Sequence, residues 1–155
     1  MLLACSACGA AGKESDKSVS VSHQETQLTT EEIREESSMD KQLVMRIDDT
    51  PVNVTWEDNG SVRELEDLSR SGLTISMSMY GGFEQVGHIG RRITGNDRQT
   101  TTHPGDIVLY SGDQLVVFYG SNSWAYTRLG KINLTQEELT KLLGNGDVTV
   151  TLSIE

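Results

Sequence analysis

The sequence predicts a mainly β fold over residues 41–155: a small closed β-barrel capped by two α-helices. Apolar and polar residues alternate in several short runs, which is the period of half-buried strands. Two other segments carry helix-start signals followed by apolar residues three or four positions apart. We expect the strands to close into a barrel because closure leaves no unpaired edge strand exposed.

The first strands are predicted to form a hairpin. Leu43, Met45 and Ile47 point to one face of a strand. The same alternation returns in residues 52–56, after a turn formed by two adjacent aspartates. The spacing therefore predicts two antiparallel strands at the start of the domain.

A helix is predicted next. Ser61 and Glu64 match a capping box, in which each side chain accepts a hydrogen bond from the other residue's backbone amide. Val62 and Leu65 then share an apolar helix face, and Gly72 is placed to end the helix.

The middle of the domain is predicted to hold its most buried strands. Residues 73–80 alternate and end at Gly81-Gly82. Residues 107–110 and 115–119 are almost continuously apolar around a turn at 111–114, a pattern that predicts a hairpin buried on both faces. This hairpin is the predicted centre of the core.

The last part of the domain is predicted to be strand, helix and strand. Residues 124–132 form a strand, and Thr135 with Glu138 makes a second capping box, flanked by an apolar pair that adds a hydrophobic staple. Residues 148–154 alternate again and provide the closing strand.

Charge limits the classes of partner. The chain has 155 residues and a formal net charge of -10, with a pI near 4.7. Phosphate groups repel such a surface, so we expect no nucleic acid partner. No apolar run approaches the roughly 20 residues that a membrane-spanning helix needs. Contact with a membrane is therefore expected only through a lipid anchor.

Residues 1–11 resemble the end of a bacterial lipoprotein signal. Leu2, Leu3 and Ala4 precede Cys5, whose thiol is the expected lipidation site. The basic and apolar regions of a full signal are missing, which suggests a start codon placed too late. This interpretation predicts a lipid-anchored protein on the extracytoplasmic face of the cell membrane. A redox or metal-binding pair made by Cys5 and Cys8, or a plain terminal cysteine pair, stays open as an alternative.

Residues 12–40 differ in composition from the rest of the chain. They are rich in Ser, Thr, Gln and Glu and contain few large apolar residues. Such a segment buries too little apolar surface to offset the entropy of ordering it. It is predicted to be a flexible polar tether.

The sequence predicts no metal site and no cofactor. His88 and His103 are far apart and lack neighbouring ligand residues. The Gly-x-Ser-x-Gly pattern of a nucleophilic serine is also missing from the chain. Chemistry based on a metal or on a serine nucleophile is therefore not expected.

Several segments resemble the small bacterial cyclophilin-like proteins. They are residues 79–84, residues 104–110, residues 114–118 and the run from Trp124 through Leu129-Gly130-Lys131-Ile132. The resemblance covers nearly all of residues 41–155. It implies a cyclophilin-like barrel, in agreement with the fold predicted from the pattern.

The resemblance also implies a binding pocket. Phe118 matches a pocket phenylalanine of cyclophilins, Tyr126 stands where their pocket histidine lies, and Phe83 and Gln85 are looser counterparts. The candidate pocket comprises Phe83, Gln85, Phe118, Trp124, Tyr126 and Arg128.

True cyclophilins are peptidyl-prolyl isomerases that use an arginine on the strand after the first helix. The corresponding strand here, residues 73–80, contains no arginine. The catalytic residues are therefore left unassigned.

Three functions are compatible with these residues. The first is a module that binds a proline-containing peptide or a small ligand. The second is a peptidyl-prolyl isomerase acting on exported proteins, with Arg91, Arg92 or Arg128 replacing the missing guanidinium. The third is a subunit of a surface assembly, which requires a sizeable exposed apolar patch.

Overall fold

A computed structural model of the protein describes residues 41–155. The predictions for residues 1–11 and 12–40, including lipidation of Cys5, lie outside the described residues. Across residues 41–155, no helix has the length and apolar character needed to cross a membrane.

The described residues form ten strands and two helices. The strands are β1 (Leu43–Ile47), β2 (Thr50–Val52), β3 (Val54–Trp56), β4 (Leu73–Tyr80), β5 (Glu84–His88), β6 (Arg98–Thr101), β7 (Asp106–Tyr110), β8 (Gln114–Phe118), β9 (Ser123–Ile132) and β10 (Val148–Ile154). The helices are α1 (Gly60–Ser69), between β3 and β4, and α2 (Gln136–Leu143), between β9 and β10.

Nine of these strands make one nearly closed, barrel-shaped sheet. Their order is β2-β1-β10-β4-β5-β8-β7-β9-β3, and β6 pairs with the beginning of β9 beside this path. β2 and β3 lie at opposite edges of the path, yet only Asn53 separates them in the chain. One short segment therefore joins the two edges. The predicted mainly β barrel with two helices is confirmed.

The first and last strands of the domain are neighbours. β10 lies between β1 and β4 and is antiparallel to both, with Leu43 opposite Ile154. Just outside this pair, Gln42 and Glu155 exchange two backbone hydrogen bonds of 2.7 and 3.0 Å. The sheet is thus completed by the strand most distant from β1 in the chain.

The main core fills the inside of the barrel. One face of each alternating strand supplies it, including Met45, Ile75 and Val150, all at most 1% exposed. α1 contacts β9 and β10, and Leu65 of this helix is fully buried. The alternation in the sequence therefore identifies the inward faces correctly.

The two helix starts differ in how well the sequence predicts them. At α2, Thr135 and Glu138 form the predicted capping box. At α1 the predicted box is wrong: the cap is Asn59, whose side chain accepts a 2.9 Å hydrogen bond from the Val62 amide. Ser61 is buried and donates to the carbonyl oxygen of Thr94. The carboxylate of Glu64 accepts from the Thr94 amide.

The strand predicted over residues 52–56 is divided at Asn53 into β2, which pairs with β1, and β3, which pairs with β9. Two further strands, β5 and β6, are additions to the sequence prediction. β5 pairs with β4 through the Gly81-Gly82 turn, where the glycines have φ angles of 64° and 74°. β6 is polar and mostly exposed, and it pairs only with β9. Neither strand has a strong apolar alternation, which explains why the pattern does not predict them.

Candidate functional site

The outer face of the sheet carries a second apolar cluster. Its buried members are Val108, Val116, Phe118 and Tyr126, with Phe83, Val86 and Tyr110 packed against them. These residues alternate with the inward-facing side chains of the same strands. β7 and β8 are apolar on both faces because one face packs into the core inside the barrel and the other packs into the cluster outside it.

A pocket of about 330 Å³ lies over this cluster. We call it the outer pocket. It is lined by Tyr80, Glu84, Val86, Tyr110, Gln114, Val116, Asn122, Trp124 and Tyr126. The volume is at the small end for ligand sites, so it suits one side chain or a small molecule.

Tyr126 is the best-fixed wall of the outer pocket. Its ring meets those of Phe118 and Tyr110 edge-on, with centroids 5.6 and 6.0 Å apart. The amide of Asn122 donates a 3.0 Å hydrogen bond to its hydroxyl oxygen. Burial, and then the nearby charge of Glu84, raises the pKa of Tyr126. The ring is therefore held in place before any ligand arrives.

The rim of the outer pocket is exposed and aromatic. Tyr80 and Trp124 are the large hydrophobic residues that stand out from the described surface, at 67% and 57% exposure. They come from β4 and β9, which are separated in the sheet by β5, β8 and β7. Exposed aromatic residues that converge on one pocket are typical of a binding site.

Among residues 41–155, Glu84 provides the one carboxyl group that lines the outer pocket. It lies between Tyr80 of β4 and Phe118 of β8 in the register of the sheet, and it is only 6% exposed. Its Oε2 atom is buried with no hydrogen-bond partner among residues 41–155. Burial disfavours the charged form and raises the pKa of Glu84 to about 7.

The structure brings four of the predicted pocket residues together. Trp124 and Tyr126 line the outer pocket directly. Phe118 is fully buried beneath them, and Phe83 is half-buried against the same cluster. Trp124 and Tyr126 are thus placed to touch a ligand, while Phe118 and Phe83 support the cluster on which the pocket lies.

Gln85 points to the opposite face of β5. Its side-chain amide donates 2.7 Å hydrogen bonds to the carbonyl oxygens of Leu143 and Gly146. It is fully buried and ties the end of α2 to the sheet. Successive residues of a strand face opposite sides, so Glu84 occupies the pocket face in its place.

Arg128 lies in a different groove, which we call the arginine groove. This groove is formed by the start of α1, residues 94–100 and residues 126–128. The Arg128 guanidinium is 3.3 Å from the carboxylate of Asp106. Arg92 is likewise engaged, because it donates to the carbonyl oxygen of Ser111. The lining of the outer pocket contains no arginine from the described part of the chain.

Sequence reasoning missed Glu84 and Tyr110 as pocket residues. A signal for Glu84 was present: a strand that ends in Gly81-Gly82 predicts a returning hairpin partner directly afterwards. In that partner, Glu84 shares a face with Val86 by simple alternation. The convergence of Tyr80 with Tyr110 depends on strand order, which the local sequence does not display.

Residues 41–155 do not assemble a metal site, since no three His, Cys, Asp or Glu side chains come together among them.

A family model described as the cyclophilin-like family matches residues 45–154. No curated protein matches the chain.

Proposed function

Since the chain belongs to the cyclophilin-like family, we propose that its barrel is a binding module that takes a peptide side chain or a small ligand into the outer pocket. The observation that carries this proposal is the convergence of Tyr80 and Trp124, both exposed, on one concave site above a fixed Tyr126. Leaving these rings in water costs free energy that a ligand recovers by covering them.

The proposed role is binding and not catalysis. An isomerase needs a donor aimed at the prolyl amide as its conjugation is lost. The guanidinium of Arg128 already faces Asp106, in the arginine groove. The binding experiment described next also records cis-trans exchange, and it would therefore detect isomerase activity.

The experiment is a nuclear magnetic resonance titration of the full chain. The ligands are a panel of Xaa-Pro peptides and a library of small fragments, and cis-trans exchange of each peptide is recorded in the same sample. We expect ligands to shift the indole N–H of Trp124. The indole N–H of Trp56 donates to the carbonyl oxygen of Leu43 and serves as an internal control that stays unchanged.

A Trp124→Ala variant is expected to bind the same ligands at least about fivefold more weakly, a loss of about 1 kcal/mol. Binding in this variant is followed through the amides of Val116 and Tyr126. Absence of shifts around the outer pocket with every peptide and fragment would contradict the proposal. Accelerated cis-trans exchange would replace it with isomerase function.

We further propose that the module is anchored to the extracytoplasmic face of the cell membrane through a lipid on Cys5. The support is the Leu2-Leu3-Ala4-Cys5 sequence and the polar composition of residues 12–40. Expressed in bacteria behind a complete lipoprotein signal, the protein is expected to incorporate labelled fatty acid and to sediment with membranes. A Cys5→Ser variant should lose both properties, while Cys8→Ser should keep them; equal labelling of the two variants would refute the anchor.

A further inference from the structure

Burying the carboxyl group of Glu84 costs free energy. It is nearly fully buried, and its Oε2 atom finds no donor among the described residues. A buried carboxylate without partners is expensive, because it has lost its water without gaining hydrogen bonds. A ligand that brings donors and positive charge to this group would remove the penalty.

The walls around Glu84 also favour a cation. Tyr80, Tyr110 and Trp124 present aromatic rings, whose faces carry partial negative charge and attract ammonium and guanidinium groups. The lining of the outer pocket includes no lysine, arginine or histidine from residues 41–155. With a net charge of -10, the whole chain attracts cations as well.

We propose that the outer pocket binds a hydrogen-bond-donating cation, an ammonium or a guanidinium group, with Glu84 as its counter-ion and Tyr80 and Trp124 beside it. The inference rests on the proposed function of this pocket in ligand binding and names the ligand chemistry. A lysine or arginine side chain of a peptide and a free small amine share this chemistry.

A ligand cation and a ligand hydrogen-bond acceptor in the outer pocket have opposite pH dependences of binding. The ionised form of Glu84 attracts a cation, so affinity rises between about pH 6 and pH 8 as the carboxyl loses its proton. A ligand carbonyl would instead accept from the protonated carboxyl and bind more weakly over the same range. The slope of affinity against pH separates the two arrangements.

The effect of pH on Glu84 has to be separated from its effect on other titratable groups near the outer pocket. Tyr80, Tyr110 and Tyr126 face Glu84 from β4, β7 and β9. On β5 itself, His88 follows on the same face, and its Nδ1 atom is 4.0 Å from the carboxylate of Asp113. The pH slope is therefore also measured in a His88→Gln variant, where it should persist.

The test compares matched probes that differ in charge. The full chain is titrated with n-butylammonium chloride and with 1-butanol at constant ionic strength, and Trp124 is the reporter. We expect the ammonium to bind at least about tenfold more tightly than the alcohol at pH 8. Glu84→Gln should remove most of this preference, because only the weaker attraction of the aromatic rings and of the net charge remains. Glu57→Gln, which removes an exposed carboxylate outside the pocket, should retain it.

Two further probes identify the source of the cation. They are Nα-acetyl-lysine methylamide and its norleucine counterpart, which has the same aliphatic chain without the ammonium. Preference for the lysine derivative over butylammonium indicates a peptide side chain, and equal affinity indicates a small amine. Equal binding of charged and neutral probes overturns the cation inference but leaves ligand binding intact. Failure of these probes together with the peptides and fragments overturns both proposals.

Discussion

Replacing Phe118 with alanine is expected to lower the free energy of unfolding by about 3–5 kcal/mol. The ring is fully buried on the outer face of β8, against Val108, Val116 and the ring of Tyr126. Removing it leaves a cavity under Tyr126, because a backbone fixed in the sheet cannot collapse into the space. Denaturation of the full chain by urea, followed by circular dichroism, measures the change.

Phe118→Leu is the matched control for this prediction. Leucine keeps most of the apolar volume, so its cost should be clearly smaller than that of alanine. A cost below about 1 kcal/mol for alanine would contradict full burial. It would return Phe118 to the ligand-contacting role that the resemblance implies.

Replacing Glu84 with glutamine is expected to change how stability depends on pH. Burial raises the pKa of Glu84 in the folded protein to about 7, from the ordinary value of 4.5 that applies to the unfolded chain. Between these pH values the folded protein holds a proton that the unfolded chain has released. The contribution of Glu84 to the free energy of unfolding therefore falls by about 2–3 kcal/mol as pH rises from 4.5 to 7. Glu84→Gln should lack this fall.

The comparison between wild type and variant isolates this one group. Hydrogen bonds from Thr94 and Thr135 lower the pKa of Glu64 and Glu138, so these carboxylates favour the folded state as pH rises. Their contribution is common to both proteins and cancels in the difference. Urea denaturation across this pH range provides the data, with Glu57→Gln as control. Parallel stability curves for wild type and Glu84→Gln would refute the burial of this carboxyl.

Local signals predicted the elements that local contacts stabilise. The capping box of α2 involves residues three apart, so the sequence displays it completely. At α1, Asn59 and Ser61 are both suitable caps by chemistry. Asn59 is the cap because Thr94, a residue distant in the chain, engages the side chains of the other pair: its carbonyl oxygen accepts from Ser61 and its amide donates to Glu64. Contacts with a distant residue override the local signal there.

The site was predicted only in part, for a related reason. Trp124 and Tyr126 belong to a strand that the sequence shows clearly. Glu84 and Gln85 are adjacent, and which of them faces the outer pocket depends on the register of β5 against β4 and β8. A shift of one residue would exchange their positions. Part of that register is set by β8, which is not the neighbour of β5 in the sequence.

The position of β10 has a consequence for how the domain is made during translation. It is the last strand of the domain to leave the ribosome, yet it fills the gap between β1 and β4. Until it emerges, both neighbours have an unpaired edge and the core lacks Val150 and Leu152. A nascent chain therefore cannot complete this barrel until β10 has emerged. Joining Gln42 to Glu155 and opening the chain at an exposed turn elsewhere should therefore change the order of folding without changing the final architecture.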